Sequence, residues 1–149
     1  MPTFEIIHAR PWHCGQMVHS LRAGHSHILT ELDVNSHAEL RARFFQSHFR
    51  RAWLIDGKLA ALGGVTGTPL SPVGAIWLAV TDVATKYPVA MVKEARRQIG
   101  IILDSRHRVN TLILSGDEPA RRFALSLGFE ALGPCGDHVL MGIERREAA

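Results

Sequence analysis

The sequence lacks the features that cross-link a chain or anchor it in a membrane. Among its 149 residues are two cysteines, Cys14 and Cys135, too few for a disulfide framework. The N-terminus has no basic start followed by an apolar stretch, so we expect no export signal and two reduced thiols. No apolar run approaches the roughly 20 residues that cross a bilayer. These absences favour a cytoplasmic protein without a membrane partner.

The chain also has no large excess of one charge. Its formal net charge is +3, and the basic residues are scattered in pairs rather than gathered in a stripe with interleaved aromatic residues. We therefore do not expect nucleic-acid binding. These pairs would also suit an anionic small molecule. The pairs are Arg50–Arg51, Arg96–Arg97, Arg121–Arg122 and Arg145–Arg146.

Histidine is plentiful, with nine residues, yet a metal site is not predicted. His25 and His27 flank one residue, and Glu31 and Asp33 follow, but no residue completes a convincing ligand spacing. We interpret the stretch around them as a polar loop and expect no metal.

Apolar periodicity predicts an alternation of strands and helices along the whole chain. Strands are predicted at 3–8, 51–56, 58–65, 74–80 and 109–115, with short β segments around 130–133 and 138–144. Helices are predicted at 11–23 and 36–49, from Pro88 through Ile102, and after Asp117. Phe44, Phe45 and Phe49 are expected on the buried face of the second helix. Val89, Val92, Ala95, Ile99 and Ile102 are expected on that of the third.

Two glycine-containing pairs predict local features of the backbone. Asp56-Gly57 predicts a hairpin, and Gly63-Gly64 within the return strand predicts a bulge or a close approach of another backbone. Gly133 to Asp137 is expected to form a turn between the last two β segments.

Residues 117–129, DEPARRFALSLGF, describe a complete helix corner. Asp117 can cap the first turn, and Pro119 lies where a missing N–H costs little. Gly128 can adopt the left-handed conformation that ends a helix, which lets Phe129 fold back onto the last turn. The order of elements then predicts one α/β (α+β) domain over residues 1–149. Its central sheet is mixed and mostly antiparallel, with helices on both faces.

The strand VNTLILS followed by DEPARRFALSLGF resembles a motif of the GNAT N-acetyltransferase superfamily. The family helix is similar to N-x-x-A-x-x-F-Y-x-x-x-G-F. Asp117 stands at the Asn position, Ala120 at the Ala, Phe123 at the Phe, and Gly128-Phe129 at the end. The resemblance implies the GNAT fold for the whole chain.

A closer likeness is to small phage-encoded GNAT-like proteins, among them the internal virion protein A type of podophages. Those proteins have a tryptophan-bearing strand that ends in a Thr-Asp/Glu run, and a His/Tyr-Pro step that opens the long helix. Trp77, Thr81-Asp82 and Tyr87-Pro88 stand at these positions here. This likeness implies a phage or prophage origin.

The resemblance assigns roles to residues of this sequence. Backbone groups of Ala79, Val80 and Thr81 would pair with the pantetheine arm of acetyl-CoA or another acyl-CoA, and Lys86 would contact its phosphates. Asp117, Arg121 and Phe123 are further expected cofactor contacts. Asp82 is the nearest candidate for the general base, and a cap or turn residue before the helix is the equal alternative. Tyr87 is the candidate acid, and a contact to a phosphate or to the adenine ring is the equal alternative. His48, Glu31, Asp33 and His138 remain open as other bases, and Cys135 as a nucleophile or a plain turn thiol.

Two departures from the family pattern affect the expected function. Residues 83–90, VATKYPVA, contain no glycine where the family has a glycine-rich phosphate loop, and Ala124 replaces the tyrosine that usually protonates the thiolate. One hypothesis is an acyl-CoA-dependent N-acyltransferase, active or degenerate, that acts on a small-molecule or protein amine, with a homodimer as the expected assembly. The alternative is a non-enzymatic phage protein that serves as a virion component or as an assembly or binding module.

Overall fold

The computed structural model describes residues 2–20 and 36–145 of the chain. Its strands are Phe4–His8 (β1), Ser47–Ile55 (β2), Lys58–Thr66 (β3), Val73–Val80 (β4), Arg108–Leu114 (β5), Glu130–Cys135 (β6) and His138–Glu144 (β7). Its helices are Trp12–Ser20 (α1), Ser36–Gln46 (α2), Asp82–Thr85 (α3), Pro88–Leu103 (α4) and Glu118–Ser126 (α5). The predicted loop at residues 25–35 lies outside the described residues.

The strands form one mixed, mostly antiparallel sheet in the order β1-β2-β3-β4-β5-β7-β6. Strand β4 pairs with β5 in parallel over Val73–Ala75 and Arg108–Asn110. The pairs β1–β2, β2–β3, β5–β7 and β6–β7 are antiparallel. The predicted fold class is confirmed, because antiparallel strands combined with β-α-β crossovers, from β4 to β5 through α4 and from β5 to β6 through α5, give this sheet.

The chain divides into two compact units. The first unit comprises residues 1–67 and 77–88, and the second unit comprises residues 68–76 and 89–149. Each unit is described by itself below. The division does not test whether the units fold together, so the single domain over residues 1–149 stays a prediction.

The core of the first unit lies where α1 and α2 cover the strands. Small and large apolar residues fill it together, and all of them are buried: Ala9, Cys14, Met17, Leu40, Phe44, Ala52, Leu62, Trp77 and Ala79. Trp77 combines this burial with a polar contact, because its indole Nε1–H donates to Ser47 Oγ at 2.8 Å. The apolar body and the single N–H of tryptophan are therefore both satisfied.

Both predictions for the β2–β3 hairpin, its turn and the close approach at Gly63-Gly64, are confirmed. Asp56 and Gly57 have φ angles of 51° and 79°, as a two-residue hairpin turn requires. At Gly64 an added Cβ would lie 2.9 Å from the Phe49 carbonyl oxygen and 3.0 Å from both Ser47 Oγ and Trp77 Nε1. The predicted close approach therefore exists, and only a residue without a side chain fits it.

The predicted second helix is too long at its C-terminal end. Helix α2 ends at Gln46, and Ser47–Phe49 belong to β2, where Ser47 pairs with Thr66 and a register shift precedes Phe49. Pairing with β3 therefore outweighs the helical periodicity of this stretch. The expected burial of Phe45 was also wrong, because that side chain is 57% exposed.

The buried stripe of α4 in the second unit differs from the predicted one. Met91, Ala95, Gln98, Ile99 and Ile102 are buried, whereas Val89 is 79% exposed and Val92 is half-buried. The stripe starts at Met91 because residues i, i+4, i+7 and i+8 share one helix face. Pro88 does begin the helix, as predicted.

The corner formed by residues 117–129 is confirmed in detail. The Asp117 side chain accepts a hydrogen bond from the Ala120 N–H at 3.2 Å, and Gly128 has a φ of 100°. The Phe129 N–H donates to the Ala124 carbonyl at 3.1 Å, and its ring is 3% exposed. The next predicted turn is shorter than expected, because β6 extends to Cys135 and only Gly136-Asp137 connect it to β7.

Candidate functional site

The end of β4 is fixed by Thr81. Its backbone N–H donates to the Ala60 carbonyl at 2.9 Å, and its hydroxyl donates to the Leu59 carbonyl at 2.8 Å. The same hydroxyl oxygen accepts from the Val83 N–H at 3.2 Å, which makes Thr81 the N-cap of α3. The Thr81 N–H is therefore occupied by β3, which differs from the free backbone group that the family resemblance implies.

Ala79 and Val80 precede this cap on β4. The Ala79 side chain belongs to the core of the first unit and is 6% exposed, whereas Val80 is half-buried. A contact of these residues with a ligand would therefore run through their backbone rather than through the Ala79 methyl group.

Helix α3 gathers the proton-transfer candidates within six residues of the first unit. The residue pattern predicts only a polar connection here, so the helix itself was not expected. Asp82 is its exposed first residue, and Lys86 is the exposed C-cap. Tyr87 follows, half-buried, with its N–H donating to the Ala84 carbonyl at 3.1 Å. The Asp82 carboxylate and the Lys86 ammonium group are thus both accessible to solvent.

Helix α4 begins directly after Tyr87. It has 16 residues, and an α-helix of this length carries a partial positive charge at its N-terminus, where the first N–H groups have no intrahelical partner. Pro88 removes one of these donors. The remaining donors carry the sign of charge that attracts an anion, and residues 83–90 contain no glycine that would permit a close backbone approach.

The remaining predicted cofactor contacts lie on α5 in the second unit. Asp117 is 8% exposed and uses its side chain as the helix cap. Arg121 Nη1 lies 3.8 Å from Glu118 Oε1, and Phe123 is half-buried. The structure thus places Ala79 to Tyr87 in one unit and Asp117, Arg121 and Phe123 in the other.

The alternative bases have structural partners or lie outside the described residues. His48 Nδ1 is 2.9 Å from the Gly67 carbonyl oxygen, and His138 is half-buried opposite the exposed Cys135. Glu31 and Asp33 are not among the described residues. Neither histidine is thereby singled out as a base.

The second unit also contains an open groove of about 710 Å³. Its walls include Arg96, Ile99, Leu103, Arg108, Leu125 and Ile143. Arg96 donates through Nε and Nη2 to the Ser126 carbonyl at 3.2 and 2.6 Å, so this guanidinium already holds the end of α5. The groove contains none of the predicted site residues.

A cluster of arginines and phenylalanines was not predicted from the sequence. Arg50 Cζ lies 4.5 Å from the centroid of the Phe44 ring, and Arg51 Cζ lies 4.1 Å from that of Phe49. The signal was present in the stretch RARFFQSHFRR, where basic and aromatic residues alternate. The assumption of a single helix there concealed which side chains meet.

The described residues hold neither a metal-binding group nor a membrane-spanning helix. Within residues 2–20 and 36–145, no three His, Cys, Asp or Glu side chains are grouped so that they could hold a metal ion. None of the helices in those ranges is both long and apolar enough to cross a bilayer. His25 and His27 lie outside them.

Several solved structures with a similar arrangement of elements are acetyltransferases. The PaiA N-acetyltransferase of Thermoplasma acidophilum, solved in complex with coenzyme A, is 8% identical, covers 96% of this chain and 99% of its own, and superimposes with a TM-score of 0.70. The chain has the GNAT fold. The GNAT-family acetyltransferase of Streptococcus pneumoniae gives a TM-score of 0.58 at 15% identity, covering 95% of this chain and 99% of its own.

A third similar structure is the ribosomal-protein-S18-alanine N-acetyltransferase of Escherichia coli. It is 12% identical, with a TM-score of 0.69, and the alignment covers 99% of this chain and 97% of the enzyme. Neither a family model nor a curated protein sequence matches the chain. At these identities the GNAT neighbours establish the fold, and the likeness to phage proteins stays a prediction.

Proposed function

We propose that the protein is an acyl-CoA-dependent N-acyltransferase that moves an acetyl group from acetyl-CoA to an amine. The observation that carries the proposal is the superposition on a coenzyme A-bound acetyltransferase over nearly the full length of both chains. A fold hosts more than one function, so the residues of the site must support the chemistry as well.

Acetyl-CoA supplies a thioester whose carbonyl carbon accepts the amine nitrogen. A C–N bond forms, the C–S bond breaks, one amine proton leaves, and the thiolate gains a proton. In our proposal the backbone of Ala79 and Val80 aligns the pantetheine arm, while Lys86 and the N-terminal turn of α4 attract the phosphates. Asp117, Arg121 and Phe123 stay proposed contacts on the second unit.

Asp82 and Tyr87 are the proposed proton carriers. An exposed carboxylate can accept the proton that the amine loses, and a phenol hydroxyl can donate a proton to a departing thiolate. Tyr87 is the only tyrosine in the sequence, so no other phenol can take that role. We expect Asp82→Asn to lower kcat/KM by about 10²–10⁴-fold, the usual contribution of general catalysis.

A non-catalytic binding or assembly module is the second candidate. It is favoured by the absence of glycine in residues 83–90 and by the engagement of the Thr81 N–H with Ala60. The first feature limits how closely backbone N–H groups can approach a phosphate, and the second removes one backbone donor for pantetheine. This candidate requires neither Asp82 nor Tyr87.

A paired set of variants separates the two candidates. Acetylation of a panel of amines is measured as the release of free thiol from acetyl-CoA. The assay compares the parent protein with Asp82→Asn, Tyr87→Phe and Lys58→Met. Lys58 is exposed on the β2–β3 hairpin and serves as the control. Thiol release that requires an amine and is lost in Asp82→Asn but not in Lys58→Met supports the transferase. Thiol release unaffected by both Asp82→Asn and Tyr87→Phe contradicts the assigned roles.

A further inference from the structure

Two arginines of the first unit lie over two adjacent phenylalanine rings. Arg50 Cζ is 4.5 Å from the centroid of the Phe44 ring, and Arg41 Cζ is 5.8 Å from that of Phe45. The two rings meet edge to face at 5.3 Å and 88°. Because Phe44 is fully buried and Phe45 is 57% exposed, the cluster extends from the core to solvent.

Both guanidinium groups also lie close to the buried thiol of Cys14. Burial raises the pKa of this thiol, and the positive charges of Arg41 and Arg50 act in the opposite direction. Because the net effect is a higher pKa, the thiol stays neutral and does not serve as a counter-ion. Cys14 therefore supplies no negative charge to balance the two guanidinium groups beside it.

Among the residues whose side chains the structure describes, a set that leaves out Glu39, no carboxylate pairs with either arginine. The ion pairs within this set join Arg97 to Glu94, Arg108 to Glu144 and Arg121 to Glu118. The Arg50 Nε–H is moreover buried without a hydrogen-bond partner. Buried donors without an acceptor are rare in folded proteins, and a bound ion or ligand group can supply the acceptor that such a donor lacks.

We propose that Arg41 and Arg50 bind an oxyanion, a carboxylate or phosphate group, carried by the acyl acceptor. The inference rests on the proposed acyl transfer and specifies its acceptor as an anionic amine. A guanidinium presents a planar fork of donors that matches such a group in a bidentate manner. The cation–π contact with Phe44 holds the Arg50 guanidinium in place, which lowers the entropy lost on binding.

The position of the cluster favours the acceptor over the phosphates of acetyl-CoA. Arg41 and Arg50 lie on α2 and β2, whereas the proposed coenzyme contacts of this unit lie between Ala79 and Tyr87. Phe44, beneath Arg50, belongs to the same apolar cluster as Trp77 and Ala79 of β4. The anionic end of an acceptor would thus be held on the elements that pack against the strand proposed to align pantetheine.

The first test measures oxyanion binding directly and needs no coenzyme. Sodium phosphate and sodium acetate are titrated separately into ¹⁵N-labelled protein while the arginine Nε–Hε resonances are recorded. We expect a saturable shift of the Arg50 signal, at least threefold weaker affinity in Arg41→Met, and no change in Arg97→Met. An Arg50 signal unaffected by either anion in the folded protein overturns the proposal. Arg50→Lys, which keeps the charge and the apolar stem over Phe44, assigns the signal.

The second test asks whether the site selects the acceptor. Amino acids are compared with their amides, which keep the amine and lack the carboxylate, as acceptors from acetyl-CoA. We expect at least tenfold higher kcat/KM for the acids, mainly through KM, and loss of this preference in Arg41→Met and Arg50→Lys but not in Arg97→Met. Equal use of both forms by a protein that binds acetyl-CoA overturns the acceptor proposal alone. Failure to bind acetyl-CoA contradicts the proposed function, and the acceptor proposal falls with it.

Discussion

At the scale of single residues, Gly64 determines how β2, β3 and β4 approach one another. A methyl group there would meet a backbone oxygen and two polar side-chain atoms within about 3.0 Å. The Phe49 carbonyl cannot rotate away as a flexible side chain could, so the strands themselves would have to shift. The sequence indicates this constraint only as a Gly-Gly pair, because the neighbours that enforce it come from distant segments.

We expect Gly64→Ala to lower the free energy of unfolding by about 1–3 kcal/mol, as overpacking of a close contact does. Gly100→Ala is the matched control, since Gly100 lies exposed within α4 and an added Cβ meets nothing within 4 Å. The free energy of unfolding of this control should rise by about 0.5–1 kcal/mol, because alanine has a higher helix propensity than glycine. Urea denaturation of both variants measures the difference, and equal stabilities would contradict the close approach.

His13 makes stability depend on pH. It is buried, and its Nδ1 accepts the Arg10 N–H at 2.8 Å, while burial lowers the pKa of the imidazole from its ordinary value of 6.5. The unfolded chain therefore binds the proton more readily, so the contribution of His13 is fully present above about pH 6.5 and is lost as the pH falls below it. His13→Gln has no such titration. We expect urea unfolding between about pH 5 and pH 8 to show that the free energy of unfolding of the parent falls toward that of the variant as the pH is lowered. A difference in this free energy that stays constant with pH would contradict the shifted pKa.

At the scale of elements, α5 shows which structures the sequence specifies locally. Its cap, its first-turn proline and its terminal glycine act on near neighbours, so the corner could be predicted from residues 117–129 alone. Helix α2 shows the opposite case, because its end depends on the pairing of Ser47 with Thr66 in β3. Helix α3 escaped prediction for a related reason, since it depends on the Thr81 cap and on β3 contacts to that residue.

The cap of α5 gives a prediction at this scale. Asp117→Ala should lower the free energy of unfolding by about 0.5–2 kcal/mol, because the Ala120 N–H loses its acceptor. Asp117→Asn keeps an oxygen at the same place and should retain most of the stability. Thermal and urea unfolding distinguish the two variants. An equal loss in both would show that the charge of Asp117, rather than the cap, stabilises the corner.

The loop before β4 depends on one buried guanidinium. Arg106 is 3% exposed and donates to the Ser71 and Thr68 carbonyls at 2.9 and 3.0 Å. Arg106→Met would leave these acceptors without their donor, and we expect a loss of about 2–4 kcal/mol in the free energy of unfolding. Arg97→Met removes an exposed i,i+3 pair with Glu94 and should lower the free energy of unfolding far less than Arg106→Met does. Similar losses for both variants, measured by urea unfolding, would contradict this assignment.

At the scale of the whole molecule, the order of elements carried enough information to predict the fold. A hairpin, a central strand, a crossover helix and the α5 corner leave few topologies once crossovers are right-handed and neighbouring strands pair. The site was less accessible to such reasoning. Thr81 looked like a free strand end, and Arg50 looked like a surface charge, because their partners Ala60 and Phe44 are set by tertiary packing.

The central claim is that the α3–α4 region accepts a coenzyme A phosphate without glycine in residues 83–90. The most direct measurement is calorimetric titration of the folded protein with acetyl-CoA, with free coenzyme A as the parallel ligand and Lys86→Met and Lys58→Met as paired variants. We predict saturable binding in the micromolar range that weakens about two- to fivefold in Lys86→Met and is unchanged in Lys58→Met, as expected for one exposed charge near a helix N-terminus. No heat from either ligand at high concentration would contradict the acyltransferase and leave the binding or assembly module as the function to test.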